Sequence, residues 1–219
     1  MAAWWIFEVV PFPGTALFPL VMFPLFGIAD VRTVGADYGR PVIFLFLGGF
    51  LLALGLQNTG AHRRMALHIV RLVGSRPARL VLGIMIASAA LSMWISNTAA
   101  VMVLLPIGLS LMETTREQGV PDSVRHTLGV SLMLGMAYGA DIGGMATLIG
   151  TPPNLVFLEM YGQQFPAAPE IGFLQWMVMG LVLSTVFTAI GWFFLTRFIF
   201  PMPAQDVFES QDVTRIEIQ

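Results

Sequence analysis

The sequence predicts an all-α membrane protein: a helical bundle with a re-entrant helical hairpin and one broken transmembrane helix. Three observations carry this expectation. Of 219 residues, 56% are hydrophobic and 11% are charged, against about 25% charged in ordinary soluble domains. That leaves too little polar surface to cover a water-facing globule of this size. The apolar stretch 80–111 would form a helix of about 48 Å, well beyond a hydrocarbon core of roughly 30 Å, and polar Ser96-Asn97-Thr98 sits in its middle. A second apolar region, 128–161, contains Pro152-Pro153, which cannot continue a helix.

Composition excludes several classes. With no cysteine there is no disulfide framework, thiolate metal site or cysteine nucleophile. All eleven basic residues are arginine and no basic stripe runs outside short loops, so no nucleic-acid partner is expected. Met1 leads directly into Ala2-Ala3-Trp4-Trp5 without a basic segment, so no cleavable signal peptide is expected.

Taken in order, the apolar regions are 12–28, 41–56, 80–111, 128–161 and 173–200. The first two are marginal spans alone, and their flanks extend them with tilt. For 80–111 the choice lies between one overlong helix and two half-helices meeting at a polar tip. Arginine placement favours the hairpin. With 61–79 in the cytoplasm (Arg63, Arg64, Arg71, Arg76, Arg79), a re-entrant hairpin also returns Arg116 and Arg125 there. Arg197 and Arg215 then lie inside as well, and only Arg32 and Arg40 lie outside. A full crossing by 80–111 removes this bias. Residues 1–200 are thus expected to form the membrane domain, with 201–219 a polar, acidic cytoplasmic tail or linker.

Two motifs carry chemistry. In Ser92-Met93-Trp94-Ile95-Ser96-Asn97-Thr98, hydroxyl and amide groups meet a helix break. Unwound carbonyls and side-chain oxygens suit a hard cation, and half-helix N-termini suit a carboxylate. An isolated Ser-Asn-Thr is more often simply an N-cap. In Gly143-Gly144-Met145-Ala146-Thr147-Leu148-Ile149-Gly150-Thr151-Pro152-Pro153-Asn154 the prolines free carbonyls near Gly150 and Thr151. Its glycines also suit a hinge or tight helix packing. Two polar breaks in one short apolar chain are less easily explained by packing alone. The glycine run lacks the lysine a phosphate-binding loop needs. Asp141 has two readings of equal weight, an ion ligand or proton carrier against a hydrogen-bonded helix-end residue. His62, His68 and His126 fall in arginine-rich loops with no metal-ligand spacing. Trp4, Trp5 and Trp176 suit an interfacial belt.

These motifs, with Phe7-Glu8-Val9-Val10-Pro11, Gly48-Gly49-Phe50 and His62-Arg63-Arg64, resemble the divalent anion:sodium symporter family over nearly the whole chain. The resemblance implies a fold of two inverted repeats, each with a hairpin ending in Ser-Asn-Thr and a following broken helix. It also implies a homodimer with elevator-type alternating access in the cell inner (plasma) membrane. It places sodium, as coupling ion, on Ser92, Ser96, Asn97 and Gly150, and a substrate carboxylate on Asn97, Thr98 and Thr151. Only the N-terminal repeat is matched, so a complementary C-terminal half is expected as partner. The arginine bias argues against a second copy inserting upside down in that role.

The function expected from the resemblance is sodium-coupled transport of dicarboxylate-type anions, C4-dicarboxylates such as succinate, by an incomplete half. An arsenite or sodium/proton antiporter of the wider superfamily is the nearest alternative, and a non-transporting truncated remnant is another. An intramembrane hydrolase using Ser92 or Ser96 with His68 is weakest, because the topology separates His68 from the tip.

Overall fold

The computed structural model describes residues 2–7, 9–73 and 76–202. Glu8 and the polar tail from 203 lie outside the described residues. The described chain is helical, and it divides into two compact units, Met1–Leu47 and Gly48–Gln219.

The first unit holds α1 (Ala2–Phe7), α2 (Phe12–Leu25), α3 (Val31–Tyr38) and the start of α4 (Pro41–Asn58). Between α2 and α4, where Arg32 and Arg40 lie, the chain forms the short helix α3. Asp30 starts that helix, accepting from the backbone N–H groups of Arg32 (2.6 Å) and Thr33 (3.0 Å). The Thr33 N–H, then the Thr33 hydroxyl, then the Arg32 N–H hold this carboxyl below its usual range.

In the second unit α4 leads to α5 (Ala61–Val73), α6 (Pro77–Ser92), α7 (Asn97–Glu117), α8 (Asp122–Gly144), α9 (Pro152–Gln164) and α10 (Phe173–Phe194). A π-helical turn, Leu195–Ile199, closes α10. The arginine-rich segment is thus largely helix rather than loop. Ala66 of α5 is fully buried and Ile69 packs on the core, while Arg64 and His68 are exposed. His62 joins its ring Nδ1 to the Leu56 carbonyl at 2.9 Å.

Among the described residues, three helical stretches are long and apolar enough to cross a membrane: Val31–Asn58, Asn97–Glu117 and Phe173–Ile199. The core of the second unit joins Leu80, Ile84, Met85 and Leu91 to Leu104, Leu111, Leu132 and Met136.

The most extensive packing is α6 on α8, and glycine permits it. A Cβ on Gly139 would lie 2.6 Å from the Met85 carbonyl oxygen, and one on Gly143 closer still to the Ala89 backbone. Spaced four apart, these glycines let two backbones touch. Ser88 adds a hydrogen bond from Oγ to the Met136 carbonyl at 2.6 Å. Trp192 ties α10 to the start of α6, donating from Nε1 to the Ala78 carbonyl at 2.7 Å.

The break inside 80–111 is present, at 93–96. The arms are unequal, 16 residues in α6 and 21 in α7, or about 24 and 31 Å. The longer arm runs past the apolar stretch to Glu117, because side chains keep its polar last turns helical. Arg116 pairs with Glu113, and the Thr115 hydroxyl donates to the Met112 carbonyl at 2.6 Å. Gly119, at φ 70°, ends the run. The second break is also present, between α8 and α9 at 145–151.

Candidate functional site

The two breaks meet. A Cβ on Gly150 would lie 2.5 Å from the Gly144 carbonyl oxygen and 2.9 Å from the Ser92 carbonyl oxygen. A Cβ on Gly144 would lie 2.8 Å from Asn97 Oδ1 and 3.4 Å from the Gly150 carbonyl oxygen. Glycine at both positions is what lets this cluster of oxygens close up. Ser92, at 0% exposure, donates from Oγ to Asn97 Oδ1 at 2.6 Å. Of the residues singled out from sequence, Ser92, Asn97 and Gly150 therefore come together. Gly144 joins them, and nothing in its residue type distinguished it from the neighbouring Gly143.

Ser96 is the N-cap of α7, with Oγ accepting from the Ala99 N–H at 3.3 Å. The capping reading of the triplet is thus correct for Ser96, while Asn97 beside it is a network residue. Thr98 is exposed on the first turn of α7, where the leading N–H groups have no intrahelical acceptor. Thr151 caps α9 without a side-chain hydrogen bond. Because Pro152 and Pro153 lack N–H groups, α9 offers its positive end mainly as a dipole.

The second break is held from beneath by buried polar groups. Asn154 Nδ2 donates to the carbonyls of Gly144 (2.9 Å) and Thr147 (2.7 Å). The fully buried Thr147 donates from Oγ1 to the Met93 carbonyl at 2.6 Å and accepts from the Gly150 N–H at 3.1 Å. Thr147 therefore staples one break to the other. Trp176, expected in an interfacial belt, donates its Nε1 to the Met145 carbonyl at 3.1 Å. Gly180 of α10 lies directly against the backbone of Met145 and Ala146.

Asp141, exposed near the end of α8, accepts from Asn97 Nδ2 at 2.8 Å. Asp141 is thus hydrogen-bonded at the end of its helix, and its partner belongs to the oxygen cluster. His68, on the exposed side of α5, has no place in this arrangement.

Apolar helices of spanning length, together with two interrupted helices whose polar groups converge, mark an integral, multi-pass membrane protein. The chain belongs to the citrate transporter family, whose model matches residues 2–214. It is 40% identical over 198 residues to the sodium-dependent dicarboxylate transporter SdcS of Staphylococcus aureus, in strains NCTC 8325, COL and N315 alike. The match takes in 89% of this chain and 38% of the relative, so the chain spans well under half the length of these curated relatives. Family and relatives are transporters rather than enzymes, which removes the hydrolase reading.

Proposed function

We propose that this chain supplies the ion-binding repeat of a sodium-coupled transporter for C4-dicarboxylates such as succinate. The observation that carries the reading is the convergence of Ser92 Oγ, Asn97 Oδ1 and the Ser92, Gly144 and Gly150 carbonyls where two helix breaks meet. A cluster of neutral oxygens suits a hard cation, and among them the Gly144 carbonyl also takes a hydrogen bond from Asn154 Nδ2. Ser96 contributes at its edge. The second N–H of Asn97, the Thr98 hydroxyl and Thr151 then face a substrate carboxylate, with the leading end of α7 adding positive dipole. Sodium held on one side of Asn97 offsets the charge of the anion on the other. That arrangement couples the two.

In this reading 80–111 is a re-entrant hairpin, 128–161 a broken membrane helix, and the tail after 200 cytoplasmic, in the cell inner membrane. The arginine distribution supports that orientation. The chain is one inverted repeat, and a complementary C-terminal repeat completes the anion site within a homodimer. The length of the relatives supports such a partner. That these relatives are dicarboxylate transporters favours dicarboxylate over arsenite or proton exchange, and the intact oxygen cluster disfavours a decayed remnant.

Labelled succinate uptake into proteoliposomes tests this. Sodium-driven uptake is expected when the chain is co-reconstituted with a complementary repeat, and none with the chain alone. Robust uptake by the chain alone would overturn the half-site reading, and uptake indifferent to sodium would overturn the coupling.

A further inference from the structure

The contact between Asp141 and Asn97 joins residues 44 positions apart, across two helices and at the rim of the oxygen cluster. We propose that Asp141 is a positioning residue that fixes the orientation of the Asn97 amide, and with it the sodium affinity of the cluster. The proposal rests on the sodium reading given above and extends it to a residue outside the cation's own ligands.

An amide side chain is nearly symmetric in shape, so sterics alone do not decide whether its oxygen or its nitrogen faces a site. Chemistry decides here. An ionised carboxylate can only accept, so the edge of Asn97 facing Asp141 must be the NH₂ group. The opposite edge, Oδ1, is thereby turned to Ser92 and Gly144, among the carbonyls.

Without Asp141 the choice loses its bias, because the Ser92 hydroxyl can donate to Oδ1 or accept from Nδ2 equally well. An amide turned the wrong way would present two N–H groups to the cation, which is repulsive. The carboxylate also draws on the amide dipole and strengthens the oxygen as a ligand. Partners that orient a metal ligand in this way commonly change affinity by about tenfold or more when removed.

The test uses the purified full chain in detergent, with thermal unfolding followed in sodium chloride against choline chloride across a titration. Sodium that binds the folded state raises the midpoint with the logarithm of one plus the ratio of its concentration to its dissociation constant. For Asp141→Ala we expect half-saturating sodium to rise about tenfold while the midpoint in choline stays within about a degree of the parent. Asp141→Asn, which can offer either an oxygen or an NH₂ group, should fall between the two. In the Asn97→Ala background, where no amide remains to be oriented, Asp141→Ala should add nothing.

An Asp141→Ala protein that titrates like the parent overturns the proposal. So does an effect that persists undiminished in the Asn97→Ala background, or a midpoint lost equally in choline and sodium. If the parent chain itself shows no sodium-specific shift, the sodium reading and this inference fall together. A parent shift with an unchanged Asp141→Ala removes the inference alone.

Discussion

The two helix breaks solve one problem with different parts. At 93–96 the chain turns through four residues and is closed by side chains: Ser96 caps α7, and Ser92, Asn97 and Asp141 form a hydrogen-bonded row. At 145–151 it turns through a longer segment closed by a backbone bond and by the buried side chains of Thr147 and Asn154. Ala146 donates to the Gly143 carbonyl at 2.9 Å, and Asn154 reaches up from α9 to secure two more carbonyls. The first break offers functional groups, whereas the second offers close approach of backbones, through glycines at 144 and 150. A polar site in an apolar medium needs both, since every unwound carbonyl requires a donor or an ion.

That contrast yields a ranking. The largest effect should come from Gly150→Ala, whose Cβ would meet backbone atoms of Gly144 and Ser92 that cannot swing aside. We expect a loss of about 2–3 kcal/mol, read from thermal unfolding in detergent, with sodium stabilisation abolished. If Gly150→Ala is tolerated, the second break is not held by close approach. Next is Asn154→Ala. It leaves the Gly144 and Thr147 carbonyls without their donor in a site only 8% exposed, at a cost of about 2 kcal/mol.

Effects at the first break should be milder and more selective. Ser96→Ala removes a cap and should cost about 1 kcal/mol, while Ser96→Gly should cost only about a few tenths. Both should weaken sodium binding alike, so the glycine variant separates the cap from the ion; unchanged sodium affinity in Ser96→Gly would confine Ser96 to capping. Smallest is Trp176→Phe, about 0.5 kcal/mol in the same assay, because Met145 is exposed and solvent can replace the lost indole donor. A larger loss there would show that α10 holds the second break more firmly than one hydrogen bond does.

Both breaks were legible in the sequence for a plain reason. A polar triplet in the middle of an overlong apolar run, and paired prolines in another, conflict with an unbroken helix. The meeting of Ser92, Asn97 and Gly150 was reached through a family resemblance, since motif spacing does not measure distances across helices. Asp141 could be weighed from sequence but not resolved, because its partner lies on another helix. The segment 61–73 was read as loop from its arginines; the better signal was periodic, with Ala66 and Ile69 on one face and Arg64 and His68 on the other. Tight packing and a broken helix were set against each other for the glycine-rich region, yet both are true. Gly139 and Gly143 pack, and Gly144 and Gly150 let the oxygens at the breaks draw together.

The bare seam between α6 and α8 has a mechanical consequence. Where backbones touch at Gly139 and Gly143, no flexible side chain is left to absorb a displacement. One break hangs from the end of α6 and the other from the end of α8. They share a mount without play, so the oxygens keep their spacing for as long as α6 and α8 stay packed. The spacing of those oxygens is set from within about a turn and a half, by the missing methyl groups of two glycines.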